Sequence, residues 1–188
     1  MTLFTRWRME REFQRKAERF VEQLLIEPAD DQVRWLAQVA THGDTDHARW
    51  ELRYARRALG LITAERDALD DRTGSLVARA LAEATGRDPQ VAQDMQEIAE
   101  RQFNARLSAY RDALNARAGA GTSARLGQTL FAFAGGSFRQ VDEHILRGGE
   151  LLGEYLTEAN ANLRETFGKV SLPENVPPSA LRRAEGRG

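Results

Sequence analysis

The chain has 188 residues, of which 41% are hydrophobic, 29% charged and 7% aromatic, and its formal net charge is −1. That length can bury one sizeable core, and the near-neutral balance excludes the strongly basic character of a nucleic-acid-binding domain, so no nucleic-acid partner is expected. The absence of cysteine excludes disulfides, thiolate metal sites and cysteine nucleophiles, and is compatible with a reducing cytoplasm, the compartment expected here.

The pattern is one helix after another, without sustained period-two alternation. The first helix is predicted over 3–26, with Met9, Phe13, Ala17, Phe20, Val21 and Leu24 on one face and Arg8, Arg11, Arg15, Arg19 and Glu22 opposite. Residues 6–19 carry six basic and three acidic side chains beside Leu3, Phe4 and Trp7. A basic amphipathic helix can lie on a membrane surface. The interspersed Glu10, Glu12 and Glu18 weaken that reading of residues 3–24, and packing into a bundle is favoured. This N-terminal stretch has no apolar h-region, which argues against a secretory signal. Apolar runs such as Leu130–Ala134 are too short for a transmembrane segment.

Pro28 ends the first helix and suits the start of a short one over 29–41. Gly43 stops that helix, and Asp44 is a natural N-cap for the next. Residues 44–69 carry two apolar rows at helical spacing. Ala48, Leu52, Ala55, Leu59 and Ile62 form one, and Trp50, Tyr54, Ala58 and Leu61 form the other. A surface helix needs one stripe, so two rows predict a central helix packed on both sides, with Arg49, Arg53, Arg56 and Asp67 facing out.

A short helix is predicted over 74–85, ended by Gly86. Asp88-Pro89 reads as an N-cap with proline at the first helical position, opening a long helix over 89–117 whose seam includes Phe103, Leu107, Tyr110 and Leu114. The loop 119–123 turns the chain back into a last helical region over 123–167, kinked near Gly135, Gly136 and Ser137. Gly148, Gly149 and Gly153 sit inside it. They imply either a close backbone neighbour or a bent helix, and the sequence does not choose. Residues 101–140 hold six arginines and one acid, whereas 142–165 hold six acids and two arginines. Opposite charge blocks beside a tight loop predict an antiparallel hairpin of these two long C-terminal segments.

The expected architecture is therefore an all-α bundle of about six helices over residues 1–168. A flexible proline-containing tail follows over 169–188, with Leu172, Val176 and Leu181 able to dock on a neighbour.

Little in the chain announces chemistry. A Walker A loop, a His-Glu-x-x-His helix, an EF-hand loop and a Gly-x-Ser-x-Gly elbow are all missing from the sequence. There is no convergent set for catalysis, so no catalytic residue and no cofactor is predicted. His42, His47 and His144 are the only histidines. His42 lies near a helix C-terminus, where an imidazolium is electrostatically favoured. His47 lies one turn before Glu51, so both share a helix face and could ligate Zn, Mn or Fe. His144 could join them if the last helix packs on the central one. Di-metal bundles use Glu-x-x-His pairs, and none occurs here. The favoured reading is that His47 and Glu51 pair with each other or with a nearby arginine, Arg57 and Arg66 being the candidates. A metal site built from His47, Glu51 and His144 is the alternative. By default the function is that of a non-catalytic interaction or structural protein, self-associating or bound to a protein partner.

Overall fold

The computed structural model describes residues 3–68, 71–117, 119–136 and 141–168, with side chains from residue 7 onward. Ser137, Phe138 and the tail 169–188 lie outside the described residues. Seven α-helices follow one another: α1 (Leu3–Leu24), α2 (Asp30–Val39), α3 (Thr45–Asp67), α4 (Asp71–Gly86), α5 (Gln96–Asn115), α6 (Thr122–Phe133) and α7 (Glu143–Phe167). The all-helical bundle read from the sequence is thus the fold, and among the described residues there is no strand.

α3 is the hub. Asp44 caps it, its carboxylate accepting from the His47 N–H at 2.9 Å. The helix then packs on all six other α-helices. The double apolar row explains this. Leu52, Leu59 and Ile62 face a core shared with Leu36 of α2, Tyr110 of α5, Leu130 of α6 and Leu152 of α7. Leu61 and Ala64 face a second core with Phe20 and Leu24 of α1, Val77 and Leu81 of α4, and Leu163 of α7. Leu59 is fully buried, and Tyr54, Leu61 and Ile62 are no more than 5% exposed.

Arg53 does not face out as its place in the pattern implies: it is 5% exposed. The chain segments entering α2 and leaving α4 fold over it, Glu27 accepting from its Nε and Nη2 and Gln90 from its Nη1. Local periodicity carries no information about such segments, which is why Arg53 reads as solvated.

Two boundaries in the second half also differ from expectation. Asp88-Pro89 does not open the long helix. The Asp88 carboxylate instead accepts from the Gln90 N–H at 3.1 Å, a local turn that competes with helix, and α5 begins only at Gln96, after a 3₁₀ turn over Gln93–Met95. The last helical region is two helices, broken at Gly135, whose φ of +79° leaves the helical region. α6 and α7 lie against each other, antiparallel, because Gly127 meets Ile145 while Ser123 meets Gly149. The C-terminal hairpin is closest between these two. α5 joins it through α6, with Phe103, Leu107 and Leu114 half-buried at the edge of the core.

Gly149 answers the question left by the glycines of α7. A Cβ there would stand 1.9 Å from the Ser123 carbonyl oxygen, and one on Gly127 would stand 1.9 Å from that of Ile145. Only glycine allows the two backbones this close. Gly153 has nothing within 4 Å, so the same explanation does not extend to it.

Candidate functional site

The one buried carboxylate of the central helix is Glu51, 2% exposed. A buried charge is costly unless it is paired and hydrogen-bonded. Its partner is Arg106 of α5, donating from Nε to one carboxylate oxygen at 2.8 Å and from Nη2 to the other. The guanidinium also donates to the Gln102 carbonyl at 3.0 Å. It lies over the rings of Tyr54, 4.9 Å to the centroid, and Phe133, 4.5 Å. The arginine is thus held from four sides, and its fork matches the carboxylate in the bidentate geometry that suits the pair.

His47 flanks this pair. Its Nε2 is 3.4 Å from a Glu51 oxygen and 3.2 Å from the Phe133 carbonyl oxygen, and its side chain is 40% exposed. The pairing of His47 with Glu51 expected from their spacing is present, but the arginine that matters was not among the candidates. Arg57 holds Asp88 and Arg66 holds Asp67. Arg106 sits between Phe103 and Tyr110 along the seam of α5. An arginine interrupting an apolar stripe at that register is the signal that points to it. His144 stays apart, 46% exposed, its Nε2 4.0 Å from a carboxylate oxygen of its neighbour Glu143. Among the described residues, no three His, Asp or Glu side chains gather as a ligand set.

Burial around this pair pushes the phenols up. Tyr110 is fully enclosed, its hydroxyl has no hydrogen-bond partner among the described residues, and desolvation, reinforced by the Glu51 charge, raises its pKa well above the ordinary value. Desolvation raises Tyr54 as well, with Arg106 opposing it. Tyr155 is pushed up to about 12 by burial, again against a nearby arginine, Arg56.

The second feature is a cleft. α4 and α5 both lean on α3 but are not packed directly on one another. Between them lies a cavity of about 300 Å³, walled chiefly by Leu61, Leu81, Val91, Ala99, Phe103 and Leu107. A hollow of about 310 Å³ lies on the other side of Val91, against Trp50, Tyr54, Met95 and Ile98. Val91 and Ala99 line both. Residues 87–95 therefore form a strap between two apolar recesses, and none of them is buried.

What fastens the strap is Asp88, which accepts from Arg57 Nη2 at 3.1 Å. Arg57 is 4% exposed, and its Nε and Nη1 are buried without a hydrogen-bond partner among the described residues. Tyr54, Arg57 and Leu61 are spaced to share one face of α3, so the arginine lies between a residue of each recess.

No protein-family model matches the chain, and no curated protein or solved structure matches it. The buried pair and the cleft are the two features of the site. Chemically they differ. Glu51 and Arg106 satisfy one another. The cleft has apolar walls and room, and Arg57, one helical turn from the lining residue Leu61, is an incompletely paired cation.

Proposed function

We propose that the protein is a non-catalytic cytoplasmic binding module, acting through non-covalent association at the cleft between α4 and α5. The observation that carries this reading is the cleft itself. Its volume is at the lower end of small-molecule sites, roughly 300–1,000 Å³, and its walls are mostly apolar with a few polar groups at the rim, Gln96 and Asn104 among them. A well-packed domain has few voids larger than a water molecule, so a recess of this size between helices calls for an occupant.

A neutral apolar dye tests the reading. N-phenyl-1-naphthylamine should bind the full chain with one-to-one stoichiometry and gain fluorescence. Leu81→Trp, which fills the recess, should abolish the signal while leaving helical circular dichroism intact. No saturable binding, or binding unaffected by Leu81→Trp, rejects the cleft.

Self-association belongs to the same proposal. Trp7, Ile26, Met95, Ile98, Val141 and Leu146 are each at least 38% exposed, and of these Met95 and Ile98 stand together at the second recess, where adjoining apolar side chains favour contact with another protein. Light scattering that gives a monomer mass at high micromolar concentration contradicts this part.

A further inference from the structure

We propose that the cleft takes a single-chain carboxylate of the fatty-acid type, whose head group replaces Asp88 on Arg57 and whose tail lies along the α4–α5 recess. This rests on the cleft being a binding site and goes further in naming the ligand chemistry.

Arg57 is the anchor for the head group. An arginine presents five N–H donors in a planar fork, and burial makes each unpaired donor costly. Here one nitrogen, Nη2, meets a single oxygen of Asp88, while Nε and Nη1 have no acceptor among the described residues. Asp88 divides its carboxylate, its other oxygen accepting from the Gln90 N–H. The guanidinium is therefore under-used, and a free carboxylate able to bind it bidentately would satisfy it better.

Position makes the apolar part of the ligand follow. Asp88 lies between Gly86 and Val91, and both of these line the cleft. Asp88 does not itself line the cleft, but a carboxylate in its place is carried on the segment whose Thr85, Gly86 and Val91 do. A hydrocarbon chain attached to it has Leu61, Leu81, Phe103 and Leu107 ahead of it. A second apolar recess lies across Val91, so the strap can shift without exposing Val91 to water on both sides. The strap has no buried residue to hold it in place, and Arg53 to Gln90 at 2.6 Å and Arg57 to Asp88 are its polar fastenings on α3. Binding thus exchanges one carboxylate for another on the same arginine, with no charge left unpaired inside.

Isothermal titration of the full chain with dodecanoate and with dodecanol separates the possibilities. Dodecanoate should bind at least tenfold more tightly than dodecanol. Asp88→Asn removes the competing carboxylate and should tighten dodecanoate several-fold while leaving dodecanol unchanged. Arg57→Gln should bring dodecanoate down to the level of dodecanol, and the first two comparisons need no variant at Arg57 should that one fail to fold. Equal affinity for the acid and the alcohol, or weaker dodecanoate binding by Asp88→Asn, overturns the proposal while leaving the apolar cleft standing. If neither compound binds and the neutral dye also fails, both readings fall together.

Discussion

Arg106 grips Glu51 with two donors across the α3–α5 interface, Nε at 2.8 Å from one oxygen and Nη2 on the other. The side chains are 11% and 2% exposed, so the pair lies almost wholly out of water. Breaking such a pair costs far more than forming it contributes, because the remaining charge is stranded. Arg106→Met should lower unfolding stability by about 3–5 kcal/mol. The double variant with Glu51→Leu should recover most of that loss. Urea unfolding of the three variants measures the coupling, and additive losses would show that the pair is not the unit described.

His47 should matter much less. Glu51 keeps Arg106 when the imidazole is removed, and the imidazole is itself 40% exposed. His47→Leu should cost no more than about 1 kcal/mol, the range of partly exposed pairs. A loss comparable with that of Arg106→Met would mean that the histidine, and not the arginine, holds the carboxylate.

The glycines of the last two helices should respond with opposite signs. Gly149→Ala places a methyl group 1.9 Å from the Ser123 carbonyl oxygen, a backbone atom that no rotamer change can move. Overpacking of this kind costs at least about 1–3 kcal/mol. Gly153→Ala, one turn further along, meets nothing within 4 Å and should gain up to about 1 kcal/mol from helix propensity alone. Thermal melts of the two variants, moving in opposite directions, check the close crossing of α6 and α7.

Leu59→Ala tests the hub. The side chain is fully buried in the core that joins five helices, and the truncation should cost about 2–5 kcal/mol. A loss well below this range, measured by denaturant unfolding, would mean that the core closes over the gap.

All three tyrosines, Tyr54, Tyr110 and Tyr155, have raised pKa values, chiefly through burial. The unfolded phenols release protons near 10, and the folded ones hold them to higher pH. The unfolded state therefore binds fewer protons in that window, and stability falls as pH rises. For Tyr155 the fall runs from about 10 to about 12. Phenolate absorbance should stay flat through the range where free tyrosine ionises, then appear together with loss of helical circular dichroism. Gradual ionisation in a still-helical protein would contradict the enclosure of these rings.

What could be read from the sequence follows from range. Leu52, Leu59 and Ile62 declare their helix and its inner face because their spacing is local, and Asp44 declares the start of α3 because a cap acts over three residues. Gly149 was legible as an oddity that a close backbone neighbour or a bent helix would explain equally, and the sequence could not choose because Ser123 lies on another helix. Arg106 and Arg53 misled or escaped notice for one physical reason: their partners Glu51 and Glu27 lie on elements distant along the chain. The opposite charge blocks of residues 101–140 and 142–165 misled in the same way. Among the described residues they form no ion pair with each other, and each reaches α3 instead, through Arg106 to Glu51, Arg111 to Glu65 and Arg56 to Glu158. Glu51 and His47 were placed correctly as neighbours, while His144 was not brought to them.

The position of α3 also constrains how the chain can be divided. Every other α-helix rests on it, and it lies in the first half of the sequence, so helices α4 to α7 have their floor supplied by residues already synthesised. Neither a fragment ending before Thr45 nor one starting after Asp67 contains that floor. Two such pieces could regain the structure only by reassembling around a third, since both cores draw on α3.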